Sequence, residues 1–184
     1  MKKVLFKKLL KEQKNHVYSY ACMMLRNQED AEDVTQDAFI RLWQNWEAVN
    51  SKKRKAWLIR VTHNRCIDLI RNKRATIIQQ RINSDMDLDK MTSHDQNRPD
   101  QRIEEKEIQE NLLKAMDQLQ ETTKSMLLLH YYQGMTFENI GQILEMKPNT
   151  VKVAVHRGRK RLREILSNDD IINKEVLDHE QYLS

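Results

Sequence analysis

Trp57, Arg60, Asn64, Asp68 and Arg71 recur every three or four residues and so share one face of a helix. A large aromatic ring, two guanidiniums and an amide on such a face suit a sugar-phosphate strand with unstacked bases. Cations neutralise phosphates while flat groups stack on exposed rings. Just before this face the chain reads Ser51, Lys52, Lys53, Arg54, Lys55, four successive cations that would extend the contact. Taken alone, a charged helix face edged by Trp is also what a solvated surface helix looks like. Asp33, Asp37 and Asp68 are the carboxylates a Mg²⁺-dependent nucleic-acid enzyme would use, but they fall on different helix faces without clear convergence. His63, His130 and His156 are isolated, and no phosphate-binding Gly loop, metal-ligand spacing or nucleophile motif appears. No metal, cofactor or catalytic residue is therefore expected.

The strand-suited face needs a helix to carry it. Over Ala56 to Arg74, Leu58, Ile59, Thr62, Cys66, Leu69 and Ile70 supply the complementary apolar stripe. Upstream, Val4 to Leu25 is compatible with one or two helices. Asn27 can cap a further helix, with Asp30 reaching back as in a capping box. That helix is expected from Ala31 to about Trp46, with Ala31, Val34, Ala38 and Leu42 inward, Phe39, Trp43 and Trp46 beside them, and Asp33, Gln36, Asp37 and Arg41 outside. Acids in a first turn complement the helix dipole, but Asp37 lies too far along for that. A polar patch carried into a basic half-protein is a candidate contact for a positively charged protein partner. Residues 45–55 read as a loop.

A second helical block begins near Arg102. Thr122 to Tyr132 offers Met126, Leu127, Leu129, His130 and Tyr131 for packing, and Gly134 can end it in a left-handed cap. Thr136 caps the next helix, whose apolar pattern is Phe137, Ile140, Gly141, Ile143 and Leu144. A turn through Glu145, Met146 and Lys147 leads to Pro148, suited to a first helical turn. The last helix turns Val151, Val155, Gly158 and Leu162 inward and Asn149, Lys152, Val153, His156, Arg157, Arg159, Lys160, Arg161 and Arg163 outward. Two short helices with a tight turn, the second polar and basic, are the helix-turn-helix arrangement that inserts into a major groove. Gly141 is expected to permit close approach where the two helices cross.

Helical spacing recurs almost throughout, with three Gly, two Pro and no hairpin signal. The expected fold is all-α: two small helical domains, residues 1–82 and 107–166, joined by a flexible acidic linker, 83–106, and followed by an acidic tail, 167–184. The net charge of +5 hides a segregation. Residues 1–81 hold 18 Lys and Arg against 8 acids, 82–114 hold 5 against 9, 115–166 hold 8 against 5, and 167–184 hold 1 against 5. Two basic blocks with an acidic spacer suggest two contacts with a polyanion. The tail reads as a frayed amphipathic helix or as a cover for basic surface. Cys22 and Cys66 sit in apolar helical patterns and are expected as buried thiols, which fits a reducing cytoplasm. Lys7, Lys8 and Lys11 interrupt the N-terminal apolar run and no other is long enough to span a bilayer, so no membrane insertion is expected. A dimeric DNA-binding regulator would share the basic helix-turn-helix, but would need an effector or dimerisation module that residues 1–81 do not resemble.

NQEDAEDVTQDAFIRLWQNW followed by KAWLIRVTHNRCIDLIRNKR resembles the promoter-melting domain of bacterial sigma factors of the extracytoplasmic-function (ECF) type. QLQETTKSMLLLHYYQGMTFENIGQILEMKPNTVKVAVHRGRKRLREIL resembles their C-terminal domain. The resemblance implies an initiation factor, not an enzyme, whose partners are core RNA polymerase, through its β′ clamp helices and β subunit, and promoter DNA in both double- and single-stranded form. It leaves room for an anti-sigma factor. It implies that Asp33, Gln36, Asp37 and Arg41 dock on the polymerase, and that Lys52, Lys53, Arg54, Lys55, Trp57, Arg60, Asn64 and Arg71 open and hold the minus-ten element. The helix Pro148 to Arg163, through Asn149, Thr150, Lys152, Val153, His156, Arg157 and Lys160, would read the minus-thirty-five duplex. This chain departs from the family pattern at Gln120, where Pro is usual, at Asn139, where an acid is common, and at Gly141, where Ala is common. Glu145 stands where Gly is common, so strain is expected in that turn. Arg is frequent at Ala154, to which no DNA contact is assigned.

Overall fold

The structure, a computed structural model, describes residues 2–83 and 103–168, and the elements of these residues are all helical. The expected linker between them and the expected tail beyond Asn168 lie outside the described residues. Helix nevertheless occupies both ends of the stretch expected as linker, since Asn83 closes one helix and Ile103 opens the next.

Helix α1 (Lys2–Leu25) is continuous and buries Val17, Tyr20, Ala21 and Met24. Its first half is held by aromatic contact: the Phe6 ring meets Trp43 and Trp46 edge-on, with centroids 5.0 and 5.7 Å away. Helix α2 (Gln28–Gln44) starts three residues earlier than its apolar stripe suggests. The Asn27 side chain accepts from the Asp30 amide at 2.9 Å, but the Asp30 carboxylate pairs with Lys73 instead of closing a capping box. Ala31, Val34, Ala38, Phe39 and Leu42 are buried, whereas Trp43 stays 39% exposed beneath the Lys2 ammonium. A short 3₁₀ turn (Ser51–Lys53), capped by Asn50, delivers the chain into α3 (Arg54–Asn83). In α3 the expected stripe holds at Leu58, Ile59, Thr62 and Cys66, which are fully or almost fully buried, while Leu69 and Ile70 are partly covered. Each buried aliphatic side chain there contributes roughly 1.5–3 kcal/mol. Thr62 satisfies its hydroxyl on the Leu58 carbonyl at 2.8 Å, which lets a polar residue sit in that stripe.

The second module comprises α4 (Ile103–Asp117), α5 (Glu121–Leu127), α6 (Phe137–Leu144) and α7 (Pro148–Asn168). Helix α5 widens into a π-helical turn over Leu128–Tyr132 before Gly134 closes it at φ 64°. That extra residue per turn shifts the phase of the helix. Leu128 and Leu129 are buried, but Tyr131, expected in the packed stripe, is 58% exposed. The Thr136 side chain caps α6 by accepting from the Asn139 amide at 3.3 Å. Val151, Val155 and Gly158 of α7 face inward as expected.

The two inward glycines both admit a close approach. A Cβ on Gly141 would lie 2.6 Å from the Met146 carbonyl oxygen and 3.5 Å from the backbone nitrogen of Pro148, so this residue admits the turn and the start of α7 against α6. A second close approach, between α7 and α5, is at Gly158, where a Cβ would lie 2.5 Å from Cγ2 of Thr123. Because the oxygen facing Gly141 belongs to backbone, it cannot rotate away. Gly141→Val is expected to destabilise the C-terminal module by about 1–3 kcal/mol, read as a lower midpoint in chemical denaturation followed by circular dichroism.

Candidate nucleic-acid interface

Helix α3 divides its side chains as its composition demands. With Leu58, Ile59 and Cys66 turned inward, Asn64, Asp68 and Arg71 are exposed, and Trp57 and Arg60 lie half-buried at the margin of the same face. A ring, a guanidinium and an amide are thus within reach of a ligand and not enclosed in the core. Lys52, Lys53 and Lys55 project beside them, with Lys55 3.7 Å from Glu12 of α1. Arg54 differs. Its guanidinium lies 3.6 Å above the Trp46 ring and donates to the Trp46 carbonyl at 2.9 Å, bracing the turn instead of joining the exposed cations. The Trp46 ring, eight residues before Arg54, is a cation–π partner that helical spacing alone does not reveal.

On α2, Asp33, Gln36 and Arg41 are exposed and Asp37 is half-buried. Asp37 is engaged by Arg41 one turn on, at 2.9 Å, and by Arg65 of α3 at 3.7 Å. Ile40 lies in the middle of this face and is 54% exposed. It belongs to no apolar stripe, so periodicity passes over it, and an apolar residue among these polar ones is what a protein contact uses at its centre. On α7, Asn149, Thr150, Lys152, Val153, His156, Arg157 and Lys160 are all exposed along one side. Ala154 is half-buried. The α6–α7 turn carries Glu145 in the left-handed region at φ 57°, as its position suggested. The turn lies against α3, where Glu145 pairs with Arg60.

Between the modules the structure holds a polar cluster that isolated readings of the histidines miss. The Tyr20 hydroxyl, the Ser125 hydroxyl and Nδ1 of His63 lie 2.7, 2.9 and 3.1 Å apart in a triangle. A neutral imidazole can accept from one hydroxyl while the other hydroxyl donates to the first. Burial, reinforced by the Arg71 charge, lowers the His63 pKa from 6.5 to about 4 despite Asp68. Lys124, only 4% exposed, donates to the Met24 carbonyl at 3.1 Å and pairs with Asp117. Desolvation lowers its pKa, and the Asp117 carboxylate opposes that. Burial likewise pushes the Cys66 thiol up to about 12. Cys66 is a buried free thiol as expected, whereas Cys22 is only half-buried. No group of His, Cys, Asp or Glu among the described residues could hold a metal ion, and none of their helices is long and apolar enough to cross a membrane.

A helical module with a flat cationic face, followed by a helix-turn-helix with a basic outer helix, defines a two-module nucleic-acid-binding protein. Comparison with known families narrows this: sigma-70 region 2 matches residues 9–76 and sigma-70 region 4 matches residues 109–162. The chain is 31% identical over 159 residues to the ECF RNA polymerase sigma factor SigE of Mycolicibacterium smegmatis, covering 86% of this chain and 60% of that one. To SigW of Bacillus subtilis, another ECF sigma factor, it is 29% identical over 157 residues, covering 83% of this chain and 84% of the relative. The fold is shared with RpoE of Bartonella quintana, solved with the anti-sigma factor NepR, at a TM-score of 0.68 and 22% identity over 88% of this chain and 96% of that one. It is shared also with CnrH, solved with the cytosolic domain of CnrY, at 0.66 and 20% over 89% and 88%. The chain belongs to the sigma-70 family, among the sigma factors of ECF type.

The His63 cluster makes stability depend on pH. The unfolded imidazole takes up its proton near pH 6.5 and the folded one near 4, so the unfolded state binds more protons between those values. The contribution of His63 is complete above pH 6.5 and is lost as pH falls toward 4. His63→Asn, which keeps an acceptor near Nδ1, is expected to lower the melting temperature at pH 7 but to flatten its decline between pH 6.5 and 4.5, measured by calorimetry.

Proposed function

We infer that this chain is a cytoplasmic sigma factor that binds core RNA polymerase and directs promoter-specific initiation without catalysing a reaction itself. The observation that carries this reading is the pairing, in one chain, of an exposed strand-suited face on α3 with a duplex-suited helix-turn-helix face on α7. The α2 face, Asp33, Gln36, Asp37 and Arg41 around Ile40, docks on the β′ clamp helices of the polymerase. Lys52, Lys53, Lys55, Trp57, Arg60, Asn64 and Arg71 grip the opened minus-ten strand. There, capture of an unstacked base offsets an unstacking cost of a few kcal/mol. Asn149, Thr150, Lys152, Val153, His156, Arg157 and Lys160 read the minus-thirty-five duplex in the major groove. The β subunit is a further polymerase contact, and a protein of the anti-sigma class is the partner to seek among copurifying proteins.

Sequencing of polymerase-bound DNA identifies a promoter, and runoff transcription on it with purified core polymerase then tests the function. Specific initiation is expected only when the chain is added; no initiation rejects the reading in favour of a regulator acting alone. On the same template, Asn64→Ala is expected to leave recruitment intact while reducing permanganate reactivity of unpaired thymines about tenfold, the loss of roughly 1–3 kcal/mol of base contact. Lys152→Ala is expected to weaken binding to upstream duplex on every sequence and to reduce the slope of log K against log salt by about 1. An unchanged slope in a filter-binding titration would remove Lys152 from the phosphate contacts.

A further inference from the structure

We propose that Arg65 of α3 is a positioning residue for polymerase docking: together with Arg41 it pins one oxygen of Asp37 out of solvent and so fixes the other as the acceptor offered to the partner. This rests on the reading of the α2 face as the docking surface. Arg65 belongs neither to the apolar stripe of α3 nor to its strand-suited face, and it reaches instead to the neighbouring helix. Its Nε lies 3.7 Å from Oδ2 of Asp37. On α2 itself, Nε of Arg41 donates to Oδ1 of Asp37 at 3.1 Å and lies 2.9 Å from Oδ2. The carboxylate is held by one cation of its own helix and one of the next.

Its two oxygens differ. Oδ2 is sealed from solvent yet accepts no hydrogen bond, whereas the Asp37 side chain as a whole stays 34% exposed. A carboxylate oxygen without a hydrogen bond would ordinarily turn out to water, because desolvation without a partner is costly. The charges of Arg41 and Arg65 hold it in. The exposure that remains falls toward Oδ1, and Oδ1 uses only one of its two acceptor sites on Arg41. A donor on the partner therefore meets an acceptor whose direction is already set, which lowers the side-chain freedom lost on association. Arg41 alone could not set it. Arg41 is 51% exposed and sits one turn along the same helix, so that pair could swing together. Arg65 is tethered differently: Thr62, Cys66 and Ile67 beside it are buried, and they fix α3 against the rest of the module.

The test is a double-mutant cycle on the affinity of the full-length chain for purified core polymerase, read by fluorescence anisotropy. Asp37→Ala, Arg65→Ala and the two together are compared with the unaltered chain. Circular dichroism melts run alongside, and because the ion pair is half-exposed its loss should leave the fold intact. Arg65→Ala is expected to weaken binding about fivefold when Asp37 is present and to change nothing once Asp37 is Ala. Arg65→Lys, which returns a cation near Oδ2, should regain most of the loss. A loss of equal size in both backgrounds overturns the positioning role, since Arg65 would then act by its own contact or through the fold. Unchanged or tighter binding by Arg65→Ala, with Asp37→Ala still weakened, overturns it too and leaves the docking reading standing. Asp37→Ala binding as tightly as the unaltered chain rejects the docking reading, and the role of Arg65 with it.

Discussion

Two modules that both carry net positive charge can pack together only where acids come between them. Residues 1–81 hold 18 Lys and Arg against 8 acids, whereas residues 103–168, the second module, hold 10 against 9. An acid facing a cationic surface lowers the repulsion that a cation there would raise. The structure brings Glu110, Asp117, Glu121 and Glu145 of these nine acids to cations of the first module. Glu121 and Glu145 meet cations of α3, and Glu110 meets Arg26, while the outer side of α7 is left basic. The same cations suit a nucleic-acid backbone, so packing and polyanion binding draw on one set of side chains.

Polar groups are buried at the same contact. Tyr20, His63, Ser125 and Lys124 lie there within an apolar core that runs through both modules. Each is satisfied: the hydroxyls and imidazole by one another, and the ammonium by the Met24 carbonyl and Asp117. Burying these groups unpaired would cost more than the contact could return. Their mutual pairing therefore selects a definite docking geometry, with His63 held neutral by desolvation as the visible consequence.

The all-helical fold was legible because apolar period and capping residues agreed. Asn27 before α2, Thr136 before α6 and Pro148 at the start of α7 each sit where local chemistry puts them. So were the faces, since residues three or four positions apart share one side of a helix, and a set so spaced but out of phase with the core stripe must emerge into solvent. What stayed hidden depends on residues distant in sequence or on departures from a regular helix. Arg54 found Trp46 across a turn whose shape no periodicity encodes. The π-helical turn rotated Tyr131 outward because one added residue breaks the 3.6 count. The Tyr20, His63 and Ser125 cluster joins three helices over as many as 105 positions. Ile40 was overlooked for the opposite reason: it is an apolar residue on a polar face, and stripe-finding discards it.

Gly141 and Glu145, the two departures within the helix-turn-helix, belong to one structural solution. The absent side chain at Gly141 lets the turn fold back until the Met146 carbonyl nearly touches the α6 backbone, and the Met146 amide donates to the Gly141 carbonyl at 2.9 Å. A turn so tightly closed needs a left-handed residue at its first position, which Glu145 provides at a conformational cost of about 1–3 kcal/mol that glycine would not incur. An exposed ion pair contributes about 0–1 kcal/mol and so does not by itself offset that cost. Retaining a strained glutamate is therefore hard to explain from the stability of the C-terminal module alone. The carboxylate it carries reaches Arg60 on the other module, which glycine could not do, and that contact is where the strain acquires a use.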